Sequence, residues 1–122
     1  MRTQRSCGVG MFVWLMASAL LWGQQEVPPV FRRAALIEFS GTISPMREAY
    51  FHRKLEKARQ DGADLIIVEI DSPGGYVESS LRLAESLADL DLHSVAYIPR
   101  QALRGAAIMA LGADEILMRP SA

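Results

Sequence analysis

The segment Leu65-Ile66-Ile67-Val68-Glu69-Ile70, running straight into Asp71-Ser72-Pro73-Gly74-Gly75, constrains the fold more than any other stretch of this chain. A nearly continuous β-branched run reads as a central parallel strand, buried on both faces. The strand stops at the next residues, because proline has no N–H to give and paired glycines favour a turn. Beyond the break, Val77, Leu81, Ala84, Leu87, Ala88 and Leu90 recur at helical spacing as far as Asp91. Strand, tight loop and helix make up the first part of a βαβ unit, which requires further parallel strands.

The remaining pattern supplies them. Residues 34–39 form a short apolar run that reads as a first strand. Ser44-Pro45 predicts a helix start, with a hydroxyl at the cap and proline in the first turn. Over residues 46–60, Ala49, Tyr50, Leu55 and Ala58 mark a rough apolar face, and Arg47, Glu48, Arg53, Lys54, Glu56, Lys57 and Arg59 a wet one. Asp61-Gly62 ends that helix. Residues 94–98 read as a third strand and residues 115–118 as a fourth. Between them residues 103–112 form a short helix with almost no polar face, expected to be buried. The order β-α-β-α-β-α-β predicts an α/β domain with a mostly parallel sheet and right-handed crossovers. Functional loops of such sheets stand at the carboxyl ends of the strands, which singles out residues 71–75 and 99–105.

Residues 1–23 read as an export signal. Arg2 and Arg5 precede an uncharged apolar run over residues 8–21, and Ala17-Ser18-Ala19 offers a small-residue cleavage site. The run falls short of the roughly 20 apolar residues of a confident membrane span, with an uncleaved anchor as the alternative. Residues 24–33, with Pro28-Pro29 and Arg32-Arg33, read as a linker, leaving residues 34–122 as the domain. The single cysteine, Cys7, falls inside the signal, so the exported part is expected to hold no disulfide, thiol nucleophile or cysteine-ligated metal. With 13 Lys+Arg against 14 Asp+Glu the net charge is −1, which gives no basic footprint for nucleic acid.

The Pro73-Gly74-Gly75 loop carries the clearest chemical signal. Adjacent glycines let a ligand approach the backbone, and their N–H groups can face an oxyanion or a phosphate. Tyr76-Val77 follows where a phosphate loop needs Gly-Lys-Ser/Thr, and no third glycine completes a dinucleotide fingerprint. A plain strand-to-helix turn is the competing reading. Ser72 reads as a turn hydroxyl, and Ser79 and Ser80 as ordinary first-turn serines. His52 and His93 are expected to be solvated and form no recognisable metal motif. Asp71, Asp89 and Asp91 read as capping and turn residues rather than a carboxylate pair. Neither a cofactor nor a metal is expected.

Two separated segments, taken together, resemble one family. Leu65 to Gly75 is similar to a strand entering an Asp-Ser/Thr-Pro-Gly-Gly loop. Tyr97-Ile98-Pro99, Ala102-Leu103-Arg104-Gly105-Ala106-Ala107 and Ala110-Leu111-Gly112-Ala113-Asp114-Glu115-Ile116 resemble its small-residue helix ending in Ala-Asp-Glu-Ile. The family is that of the Clp-class serine peptidases of the signal peptide peptidase A and NfeD type. The resemblance runs from about Ala34 onward. It implies a Clp protease/crotonase-like α/β fold, incomplete at its C-terminal end, and peptide hydrolysis by a Ser–Lys dyad.

By that resemblance Gly74 and Gly75 form the oxyanion hole. The nucleophilic serine belongs at the position of Arg104, and neighbouring Leu103 or Gly105 does not restore it. The family's lysine base lies beyond residue 122, and the lysines present, Lys54 and Lys57, sit on the charged helix face. A guanidinium stays protonated and is no nucleophile. The expectation is an exported or membrane-associated relative without hydrolytic activity. Its expected partners are an unstructured peptide or membrane-protein segment, and further copies of itself. Arg104 is either a neutral replacement or a ligand for an anion such as a peptide C-terminus. The alternatives are an active peptidase completed from elsewhere, a non-catalytic binding or assembly module, and a crotonase-like acyl-thioester enzyme using Glu78 or Glu115.

Overall fold

The computed structural model describes residues 26–122. The expected export signal, with Cys7, and the first residues of the expected linker lie outside the described residues. Residues 26–30 are exposed and form no helix or strand, and a separate compact unit runs from Phe31 to Ala122.

That unit alternates strands and helices: β1 (Ala34–Ser40), α1 (Pro45–Gln60), β2 (Leu65–Asp71), α2 (Val77–Ala88), β3 (His93–Ile98), α3 (Gly105–Leu111) and β4 (Glu115–Met118). Sheet order is β1-β2-β3-β4 and every pairing is parallel. Ser44 caps α1 by accepting from the Arg47 N–H, with Pro45 in the first turn.

When strand order follows chain order and every crossover has one hand, all connecting helices fall on the same face of the sheet. The core shows this arrangement. Ile37, Phe39, Ile66, Val68, Ile70, Ala96 and Ile98 point into one cluster with Phe51, Leu55, Leu83, Leu87 and Met109 from the three helices. The expectation that β2 is buried on both faces is therefore corrected. Ile66, Val68 and Ile70 are fully buried, whereas Leu65, Ile67 and Glu69 on the other face are only half covered.

Helix faces differ from the sequence pattern for a related reason. On α1, Phe51 is fully buried beside Leu55 and Ala58, packing edge-on against Phe39, while Ala49 is exposed. On α2 the inward residues are Ser79, Ser80, Leu83 and Leu87, and Val77 and Leu81 are exposed. Helix α2 is rotated because it meets α3 through small residues. A Cβ at Gly105 would lie 2.2 Å from Ser80 Oγ, and one at Gly112 would lie 2.2 Å from the Ala84 carbonyl oxygen. Larger groups there would hold the two helices apart. Helix α3 is also shorter than expected and buried on one face only. Gly105, Ala106, Met109 and Ala110 point in, and Leu111 is exposed.

Candidate functional site

The loop after β2 is stitched to the chain on both sides. Toward β3, Ser72 forms a parallel bridge with Ala102: its N–H donates to the Gln101 carbonyl at 3.0 Å, and Leu103 N–H donates to the Ser72 carbonyl at 3.0 Å. Toward β1, Ile43 bridges Gly75. Ile43 N–H donates to the Gly74 carbonyl at 3.0 Å, and Tyr76 N–H donates to the Ile43 carbonyl at 3.1 Å. The Ser72 side chain is fully buried and its Oγ accepts from the Gly74 N–H at 3.1 Å. Ser72 is thus the turn hydroxyl expected from sequence, but it also ties together the two loops at the carboxyl ends of the strands.

Those loops meet at Gly74 and Arg104. Gly74 has φ +97, and a Cβ there would lie 2.8 Å from the Leu103 carbonyl oxygen and 3.1 Å from Arg104 Cβ. Only glycine accepts that conformation and approach. Arg104 stands just ahead of α3 with φ 52 and ψ −117, the one non-glycine residue with positive φ among those described. Nothing in the arginine itself favours this backbone, which costs on the order of 1–3 kcal/mol and is held only where the surroundings dictate it. A residue forced outward on a sharp strand-to-helix turn is the geometry by which hydrolases of other folds expose a nucleophile. Here the turn exposes a guanidinium.

The Gly74 N–H is engaged by Ser72, so of the two expected oxyanion donors only Gly75 N–H has no acceptor among the described residues. Gly105 N–H also has none there, and its nitrogen lies 3.2 Å from a Cβ built on Gly74. Sequence reasoning passed over Gly105. The available signal was its place directly after the expected nucleophile position; in hydrolases the N–H following the nucleophile commonly contributes to an oxyanion hole.

Charge around the loops is sparse. Asp71, at the end of β2, pairs with Arg100 rather than acting as a turn residue, and the pair lines a cleft of about 500 Å³ with Gly41, Pro73 and Gln101. Arg104 is exposed and has no ion-pair partner among the described residues. Asp91 pairs with Arg59 at 2.6 Å, and Asp89 is the C-cap of α2.

The other candidate residues lie elsewhere or are structural. Ser80 Oγ donates to the Tyr76 carbonyl at 2.8 Å, and Ser79 Oγ accepts from Arg82 at 3.3 Å. Lys54 lies over the Tyr50 ring at 5.5 Å, and Lys57 pairs with Asp61 at 2.9 Å, both on α1. His52 is 4.0 Å from Glu48 on the exposed side of α1. Bidentate bonding from Arg82 holds the Glu48 carboxyl below its ordinary range. His93 is less solvated than expected: its ring stacks on Phe31 at 5.1 Å, and Nε2 lies 3.1 Å from Glu115. Both begin strands, so Glu115 lies at the end of the sheet opposite the glycine loop. Glu78 is largely in solvent, 3.9 Å from Arg82. No group of three or more His, Cys, Asp or Glu suited to a metal occurs among the described residues.

The Ala-Asp-Glu-Ile segment is a clamp. Asp114 accepts from Ser94 N–H at 2.8 Å and from Ser94 Oγ at 3.0 Å, and its own N–H donates back to Oγ at 3.1 Å. The Ser94 N–H, and then its hydroxyl, hold the Asp114 carboxyl below its ordinary range against the opposing effect of burial.

Residues 34–122 match the family described as NfeD1b, N-terminal domain. The chain is 28% identical over 116 residues to the membrane protein NfeD1b of Bacillus subtilis, covering 95% of this chain and 26% of that protein. It is 27% identical over 86 residues to the membrane-bound protease PH1510 of Pyrococcus horikoshii, covering 68% of this chain and 20% of that one. Among solved structures, a mutant of the 1510-N membrane-bound stomatin-specific protease in complex with a substrate peptide superposes with a TM-score of 0.67 at 24% identity, over 74% of this chain and 42% of that one. The chain therefore spans about a quarter of the length of the curated proteins it matches. Four parallel strands with three helices on a Clp protease-like plan, and a family match over residues 34–122, place this chain in the NfeD1b N-terminal domain family, among relatives of membrane-bound proteases.

Proposed function

We propose that this chain is a non-hydrolysing peptide-binding domain of an exported or membrane-associated protein, built on the scaffold of a serine protease. The observation that carries the reading is Arg104: the strained turn beside the glycine loop exposes a permanently protonated guanidinium, which has no lone pair for attack on a carbonyl.

Peptide binding is supported by what remains around the turn. The Gly75 N–H is unengaged among the described residues, and Tyr76, Val77 and Leu103 stand exposed near it. A backbone donor flanked by apolar side chains suits an extended peptide. The matched protease structure holds a substrate peptide. Membrane association follows from the relatives named as membrane proteins and from residues 1–23 as export signal or anchor. No described helix is long and apolar enough to cross a membrane. The acyl-thioester reading has less support, because Glu115 is at the far end of the sheet and Glu78 faces solvent.

The test is to incubate the full chain with a degenerate pool of unstructured peptides, then recover and sequence them by mass spectrometry. Retention of intact peptides is expected. New peptide termini overturn the non-hydrolytic part of the reading, and absence of retained peptide overturns the binding part.

A further inference from the structure

If the domain binds peptides, the chemistry at position 104 selects which end of the peptide it holds. An exposed arginine is usually solvated or paired with a surface carboxylate. Arg104 has no such partner among the described residues; nor have Arg32, Arg33, Arg47, Arg53 and Arg119, whereas Arg59, Arg82 and Arg100 each have one, so what distinguishes Arg104 is its place against the glycine loop. The nearby carboxylate at the strand ends, Asp71, is already paired with Arg100. Glu78, on the following helix, approaches Arg82. The loop junction therefore keeps an uncompensated positive charge.

Arg104 and an open backbone donor adjoin the same glycine, Gly74. Arg104 Cβ is 3.1 Å from where a Gly74 Cβ would stand, so the arginine side chain starts against the glycine loop. The next residue in that loop, Gly75, offers an N–H with no acceptor among the described residues. The backbone at Arg104 is fixed by its neighbours: Leu103 N–H is bonded to Ser72, and Ala107 N–H to the Arg104 carbonyl at 3.1 Å. Side-chain flexibility is the only freedom left.

We infer that Arg104, together with the Gly75 N–H, forms a subsite for the C-terminal carboxylate of a bound peptide; this rests on the peptide-binding reading. A guanidinium presents parallel N–H donors that match the two oxygens of a carboxylate, and a backbone N–H adds a further donor. One cation balances one unit of negative charge. A doubly charged phosphate would require a second cation at the turn; the neighbouring Arg100 is committed to Asp71, and Arg47 stands instead beside Gly41, after β1. The position that in a protease attacks a carbonyl inside the peptide here holds the end of the peptide.

The experiment compares two degenerate decapeptide pools, one with free C-termini and one amidated, for binding to the full chain and to its Arg104→Gln variant. Hydrogen bonds to a charged group predict that amidation weakens binding to the wild type by about ten- to a hundredfold. In Arg104→Gln the two pools should bind alike, near the amidated level, and circular dichroism checks that the variant is folded. Equal binding of both pools to the wild type overturns the carboxylate subsite while leaving peptide binding intact. Absence of binding by either pool overturns both.

Discussion

Replacing Gly75 with alanine tests the stitching of the glycine loop. Gly75 does not have positive φ, so the cost is one of space rather than backbone strain. An added Cβ would lie 2.2 Å from the Ile43 carbonyl oxygen, 2.7 Å from its nitrogen and 2.9 Å from its carbonyl carbon. Ordinary contacts are about 3.5–4.0 Å, so the two backbones must separate by about 1 Å. These atoms are main chain and cannot rotate aside. The separation breaks the hydrogen bonds at 3.0 and 3.1 Å that flank the bridge, worth about 1–3 kcal/mol together. It also displaces Ile43, which is fully buried. Part of the 2–5 kcal/mol lost when such a side chain is removed outright is added. The expected loss is about 2–4 kcal/mol, against a total of roughly 5–15 kcal/mol for a domain. Urea unfolding followed by far-ultraviolet circular dichroism measures it as a lower midpoint at unchanged slope. A loss below about 0.5 kcal/mol, the size of an ordinary surface change, refutes the contact between Ile43 and Gly75.

Two further outcomes follow from named groups. Arg104→Gly relieves a positive-φ strain of about 1–3 kcal/mol and gives back 0.5–1 kcal/mol in chain entropy, for a net gain of about 1 kcal/mol in urea; a loss of stability contradicts the strain at this turn. Asp114 has a lowered pKa when folded, so it contributes stability that is present above its unfolded pKa and lost as pH falls through the folded value. Wild-type stability should therefore fall on acidification below about pH 4, and less steeply in Asp114→Asn, which keeps an acceptor for Ser94 without the proton uptake; equal slopes contradict the assignment.

The alternation of strands and helices was legible from the sequence, because apolar periodicity, Ser44-Pro45 and Asp61-Gly62 mark the boundaries locally. The single-sided core was not. Leu65, Ile67 and Val68 look alike in sequence, and which is covered depends on where the crossovers place the helices. The rotated face of α2 escaped for a similar reason. Ser80 is buried and Ala84 half-buried because Gly105 and Gly112 lie opposite, a pairing between distant segments. At the candidate site, the glycine loop and Arg104 were identified, but their contact through Gly74 was not. Gly74 N–H looked available until the Ser72 hydroxyl was seen to engage it. The positive φ of Arg104 is imposed by its surroundings, so no residue preference announces it.

The central claim is that the scaffold of a serine protease here carries no serine nucleophile. Intact-mass spectrometry of the full chain after exposure to a fluorophosphonate tests it directly. Ser72, Ser79 and Ser80, the serines at and just after the glycine loop, are buried, and each side-chain oxygen is in a hydrogen bond. The predicted result is an unchanged mass, and a single phosphonyl adduct mapping to any of these serines would contradict it.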